Sequence, residues 1–126
     1  INDTYGHEVG DLVLKKVAEL IRSQLRSMDV VARYGGEEFS VLLEQSGNSR
    51  AHEIAERIRS VISNYTFLKE RCNSAITVSV GAATIDLKKA DLTAAGQSLL
   101  RAADKALYEA KQTGRNKVIS APDIYE

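Results

Sequence analysis

The chain has 126 residues, of which 44% are hydrophobic and 27% charged. That is the size and balance of one globular domain, able to bury a core without disulfides or zinc. Lys+Arg and Asp+Glu are both 17, so the formal net charge is zero. Bulk-charge binding to nucleic-acid polymer or an anionic membrane is disfavoured, whereas a small phosphorylated ligand held by a few local groups is not. Apolar runs are too short for a membrane-crossing helix or a secretory h-region. Cys72 is the sole cysteine, which fits a reduced, cytoplasmic setting and a packing role. His7 and His52 lack metal-ligand spacing, and His52 reads as solvated on a charged helix face.

In chain order, residues 6–11 form a Gly-rich polar entry. Val13, Leu14, Val17, Leu20 and Ile21 then recur at helical spacing to about Gln24. Strands are expected over 30–34 and 39–43, with Gly35-Gly36 as a two-residue hairpin turn in which both glycines take positive φ. A helix over 48–65 places Ile54, Ile58, Val61 and Ile62 on one face, with Arg50, Glu53, Glu56 and Arg59 largely outside it. Residues 75–85 read as a strand, with Ile76, Val78 and Val80 alternating with Thr77, Ser79 and Gly81. A third helix over 95–112 buries Leu99, Ala103, Ala106, Leu107 and Ala110, and a short strand over 117–119 follows. The expected fold class is α+β, helices on an antiparallel or mixed sheet. The domain is read as 1–120, with 121–126, containing the lone Pro122, as a tail.

Four stretches can carry chemistry. In Gly35-Gly36-Glu37-Glu38-Phe39, glycines let backbone N–H groups approach a phosphate. Strand alternation sends Glu37 and Glu38 to opposite faces, one to hold a metal ion beside phosphates and one to orient a neighbour. The same residues suit a plain solvated hairpin tip. Asn2 and Asp11 have the amide and carboxylate needed to meet a purine edge, and both also suit helix capping. Lys111 and Arg115 flank Gly114 at a helix end; they suit a polyphosphate clamp or simple interaction with the helix dipole. Arg26 and Asp29 have the spacing of a local ion pair at a helix end.

Taken together, GGEEF, the upstream NDTYGHEVGD and the downstream KQTGRN resemble the GGDEF domain of diguanylate cyclases, over residues 1 to about 120. RSMD, ending five residues before GGEEF begins, also resembles that family's RxxD inhibitory site. The resemblance implies a palm-like sheet flanked by helices, similar to nucleotide cyclases and polymerase palms. It implies condensation of two GTP into cyclic di-GMP and two pyrophosphates across a homodimer, with two Mg²⁺ or Mn²⁺ ions per GTP site. It implies Glu37 as metal ligand, Glu38 near the attacking hydroxyl, and Gly35 and Gly36 beside the phosphates. Asn2 and Asp11 would read guanine, Lys111 and Arg115 would clamp the terminal phosphates, and Arg26, Asp29 and Arg57 would bind product. Glu53 stands where some members have a second arginine, which weakens the product site.

The chain opens on Ile1, without the family's first helix and first strand. An aspartate ligand and a phosphate-contacting lysine lie in that region, so the 126 residues alone are expected to be inactive or nearly so. A sensor or receiver domain is expected in the parent protein. Two other readings compete. One is a GGDEF-type receptor that binds cyclic di-GMP and makes little of it. The other is an RNA-binding sheet, disfavoured by neutral charge and by having only five Tyr and two Phe, with none expected exposed on strands.

Overall fold

In a computed structural model, residues 7–44, 47–67, 74–85 and 92–122 are described. Asn2 and Cys72 lie outside them. The described elements are α1 (His7–Ser23), β1 (Val30–Gly35), β2 (Glu38–Leu42), α2 (Asn48–Ser63), β3 (Thr66–Phe67), β4 (Ser74–Ala75), β5 (Val80–Ala82), α3 (Leu92–Gln112) and β6 (Val118–Ser120). The chain divides into two compact units. The first is Ile1–Glu44 with Ser60–Ile76, and the second is Gln45–Arg59 with Thr77–Glu126, so α2 contributes to both.

In the first unit, Val13, Val17 and Ile21 recur every fourth residue along α1 and are buried, as is Ile62 of α2. The β1–β2 hairpin is antiparallel, pairing Val30 with Leu42 and Arg33 with Phe39. Beyond that pair the register shifts by one and Gly35 meets Glu38, leaving Tyr34 as the extra residue of a bulge. β3 and β4 make a second antiparallel pair, Thr66 with Ala75.

In the second unit, Ala51, Ile54, Ala55 and Ile58 of α2, Ala106 and Ala110 of α3, and Ala121 are buried. β5 and β6 run parallel, Val80 beside Val118 and Ala82 beside Ser120. α3 packs on this pair at Gly81, where a Cβ would overlap the Leu107 backbone nitrogen and the Ala103 carbonyl oxygen. Glycine is therefore needed there for space, and its φ is not in the left-handed range.

Several expectations are corrected. α1 already begins at His7, so 7–11 is helix and no longer an entry loop. The hairpin turn is Gly36-Glu37, with Gly35 inside β1, because the Tyr34 bulge moves the turn along by one residue. The strand expected over 75–85 is broken: ladder pairing is found at Ser74–Ala75 and Val80–Ala82, with 76–79 outside any ladder. Tyr34 on β1 is 60% exposed, so an aromatic does face out from a strand. His52 is exposed but not merely solvated, since its Nδ1 lies 2.7 Å from Ser120 Oγ.

Candidate functional site

The Gly36-Glu37 turn is the best-defined chemical feature of the first unit. Gly36 has φ +52, while neither Gly35 nor Glu37 is among the described residues with positive φ. That sign pattern suits glycine at the first turn position of a tight hairpin. Nothing lies within 4 Å of a Cβ built at Gly35 or Gly36, so the backbone there is open to an approaching group. Arg33 brackets the turn from its own strand, its Nε and Nη2 donating to the Gly36 carbonyl at 2.9 and 2.7 Å. Two donors on one oxygen fix the 36–37 peptide and leave the exposed Glu37 carboxylate on a held backbone. Because Glu37 sits in the turn and Glu38 in β2, strand alternation does not govern their relative directions.

A cleft of about 350 Å³ runs beside this hairpin, lined by Asp11, Leu14, Lys15 and Ala18 of α1 and by Val31, Ala32, Arg33 and Phe39 of β1 and β2. It therefore joins Asp11 to the strands that carry the turn. Its apolar walls suit a flat ring, and Asp11 supplies an acceptor at one side. Arg33 has no role in the sequence reading, where Leu14 counts only as helix core and Phe39 only as the end of the GGEEF stretch.

Arg26 and Asp29 do form the pair read from their spacing. Asp29 is 3% exposed and is the buried charged side chain among the described residues. Its Oδ2 accepts the Arg26 backbone N–H at 2.8 Å and the Arg26 Nε at 3.4 Å. Arg26 Nη2 also donates to the Glu44 carbonyl at 2.8 Å, and Arg22 donates to the Asp29 carbonyl at 2.6 Å and to the Arg26 carbonyl. The backbone N–H of Arg26, followed by its guanidinium, holds the Asp29 carboxyl below the usual carboxylate range. So Asp29 faces inward and closes the 26–29 turn.

In the second unit, Lys111 is half-buried and Arg115 exposed where α3 ends. The Arg115 N–H donates to the Ala110 carbonyl at 2.9 Å, a closure of Schellman type around Gly114, whose φ is +120. Such a closure needs one positive φ, yet Arg115 (+62) and Asn116 (+47) have it as well. A non-glycine residue held there stores about 1–3 kcal/mol of strain. Arg57 is exposed on α2, as is Glu53. Among the described residues no group of three or more His, Cys, Asp or Glu side chains is placed to hold a metal ion by itself. No described helix is long and apolar enough to cross a membrane.

Known proteins are similar to this chain in sequence and fold. The profile of the family described as "Diguanylate cyclase, GGDEF domain" matches residues 1–117. Diguanylate cyclase A of Treponema denticola is 46% identical over 118 residues, which span 94% of this chain and 31% of that protein. The active GGEEF domain of a diguanylate cyclase from Vibrio cholerae superimposes with TM-score 0.84 at 33% identity, over 97% of this chain and 74% of that one. The GGDEF domain of DgcB from Caulobacter crescentus, solved in complex with c-di-GMP, gives TM-score 0.80 at 35% identity, over 94% and 68%. The chain spans about a sixth to a third of the length of the curated relatives it matches. With an intact GGEEF motif, a cleft that its Phe39 lines together with Asp11, and a profile match over nearly its whole length, the chain belongs to the diguanylate cyclase GGDEF-domain family.

Proposed function

We propose that this chain is the GTP-condensing domain of a diguanylate cyclase, acting as a homodimer with one GTP per protomer. The observation that carries the reading is the Glu37 turn, whose Gly36 carbonyl is bracketed by Arg33, a residue that also lines the cleft beside Asp11. In each half-reaction the 3′-hydroxyl of one GTP attacks the α-phosphate of the other. A new P–O bond forms, the bond to pyrophosphate breaks, and the hydroxyl proton leaves; two such steps close the ring and release two pyrophosphates.

The protein's share is positioning and charge compensation. Asp11, which lines the apolar cleft, accepts from the N–H groups of the guanine edge, and the Asn2 amide donates to its carbonyl oxygen. Gly35 and Gly36 leave the turn's backbone open for the phosphates. Lys111 and Arg115 neutralise the terminal phosphates, and Glu38 stands near the attacking hydroxyl. Mg²⁺ is usually held by one or two carboxylates together with substrate phosphates, so a single exposed Glu37 beside an open turn fits one ligand position. When bound, the ion offsets charge on the attacking and leaving oxygens.

Arg26, Asp29 and Arg57 are assigned to product feedback. Arg26 and Arg57 suit phosphate and guanine edges because their forks make paired hydrogen bonds. Asp29 already accepts the Arg26 N–H through Oδ2, which leaves Oδ1 as the oxygen with spare acceptor capacity for a guanine N–H.

The test is to incubate the full-length protein with GTP or ATP and separate the nucleotides. Cyclic di-GMP and pyrophosphate from GTP, with ATP left unused, are expected. A site built to pair the guanine edge leaves buried groups unmatched with adenine, at a cost of about 1–3 kcal/mol. Equal use of ATP, or no dinucleotide product, overturns the reading.

A further inference from the structure

The polar face of α2 is not idle. His52, Glu56 and Arg59 lie at i, i+4 and i+7, on one face of the helix. At one end of this stripe His52 meets Ser120 at 2.7 Å, on the last residue of β6. At the other end Arg59 Nη1 donates to Asn116 Oδ1 at 2.9 Å. Glu56 lies between them and accepts from Arg59 Nε at 2.8 Å and from Arg59 Nη2. The stripe thus bolts the returning segment 116–120 at both ends. One bolt falls on Asn116, next to Arg115, within the run of positive-φ residues 114–116. The Schellman closure accounts for Gly114 alone. In the two residues that follow, the Asn116 side chain accepts from Arg59, an arginine itself held by a carboxylate, while Lys117 Nζ donates back to the Thr113 carbonyl.

We propose that Arg59, aimed by Glu56, is a positioning residue for Arg115: by holding Asn116 it keeps the 115–116 backbone left-handed and presents the Arg115 guanidinium to the terminal phosphates of GTP. This rests on the assignment of Arg115 as a phosphate clamp. The long-range character of the bond matters. A clamp at a frayed helix end would sample many directions and lose affinity for the triphosphate, whereas an anchored one is pre-organised. The mutual pair is strong enough to lower the Glu56 carboxyl and raise the Arg59 guanidinium from their ordinary values, each chiefly through their hydrogen bond.

The experiment compares Arg59→Met, Arg59→Lys, Arg115→Met and the double variant Arg59→Met/Arg115→Met in the full-length protein, reading KM for GTP, kcat and amide hydrogen exchange at 115–117. Arg59→Met is expected to raise KM about tenfold with kcat within about twofold, since pre-organised charge contacts are lost without touching the reacting atoms. Arg59→Lys should recover part of that loss. In the Arg115→Met background, Arg59→Met should add less than about twofold, because both act through one contact. Exchange at 115–117 should rise while that of α1 stays unchanged. Should Arg59→Met fail to fold, Asn116→Gly removes the acceptor while tolerating positive φ, and the same KM rise is expected. If Arg115→Met raises KM and Arg59→Met and Asn116→Gly do not, the positioning role is overturned and the clamp survives. If Arg115→Met leaves KM unchanged, the clamp itself is wrong and the positioning role falls with it.

Discussion

Two turns among the described residues hold positive φ, and they do so by opposite means. At the hairpin tip, Gly36 takes φ +52 with no Cβ to strain, and its carbonyl is bracketed by Arg33, three residues away on the same hairpin. After α3, Arg115 and Asn116 take φ +62 and +47 against their own sterics, and the latch is Arg59, 57 residues earlier in the chain. The first turn is locally encoded and open; the second depends on tertiary contact. A ligand site can therefore use glycine where backbone must approach, and a strained, latched arginine where a side chain must be aimed.

The largest effect expected within the fold comes from a third kind of glycine. Gly81→Ala puts a methyl group into the backbone of α3 and should lower unfolding free energy by about 3 kcal/mol or more, measured by urea denaturation. Gly36→Ala meets open space and suffers only from its φ, so it should cost about 1–2 kcal/mol. Equal losses in the two variants would break the distinction between glycine for space and glycine for torsion.

A pH experiment sharpens the contrast between inward and outward carboxylates. Asp29 has a folded pKa lowered from its ordinary value, chiefly by the Arg26 N–H. Its stabilising contribution is therefore fully present above the unfolded carboxylate value of about 4 and is lost as pH falls through the lower folded value. The stability gap between the wild type and Asp29→Asn should be wide at neutral pH and close on acidification below about 4. A gap independent of pH would mean that the 26–29 turn does not need the carboxylate charge. The smallest change belongs to the latched turn. Asn116→Gly should shift stability by less than about 1 kcal/mol, because relief of a strained φ offsets one lost hydrogen bond. A loss matching that of Gly36→Ala would show that the strain at Asn116 was overstated.

Much of the hairpin was legible in the sequence. The strands expected over 30–34 and 39–43 lie within one residue of β1 and β2, and the two glycines mark the turn between them. The turn nevertheless fell one residue late, because the bulge at Tyr34 leaves no mark in residue pattern. The buried stripes of α1 and α2 followed from helical spacing at Val13, Val17 and Ile21, and at Ile54, Ile58 and Ile62. The Arg26–Asp29 pair was readable from its spacing of three, but not that the carboxylate turns inward onto backbone. For Arg59 the sequence shows only that it lies largely outside the apolar face of its helix. Its contact with Asn116 spans 57 residues, and no local pattern encodes a partner at that separation. β3 and β4, two residues each, are too short to show any period.

The most direct test concerns Glu37, the residue on which the enzymatic reading stands. Glu37→Gln keeps the shape of the side chain and removes the charge through which Glu37 is proposed to hold a metal ion. Turnover of GTP to cyclic di-GMP by the full-length variant should fall by about a hundredfold or more, while unfolding midpoint and KM for GTP stay close to those of the wild type. Turnover equal to the wild type would contradict the account, since the exposed carboxylate on the bracketed turn would then play no part in the reaction.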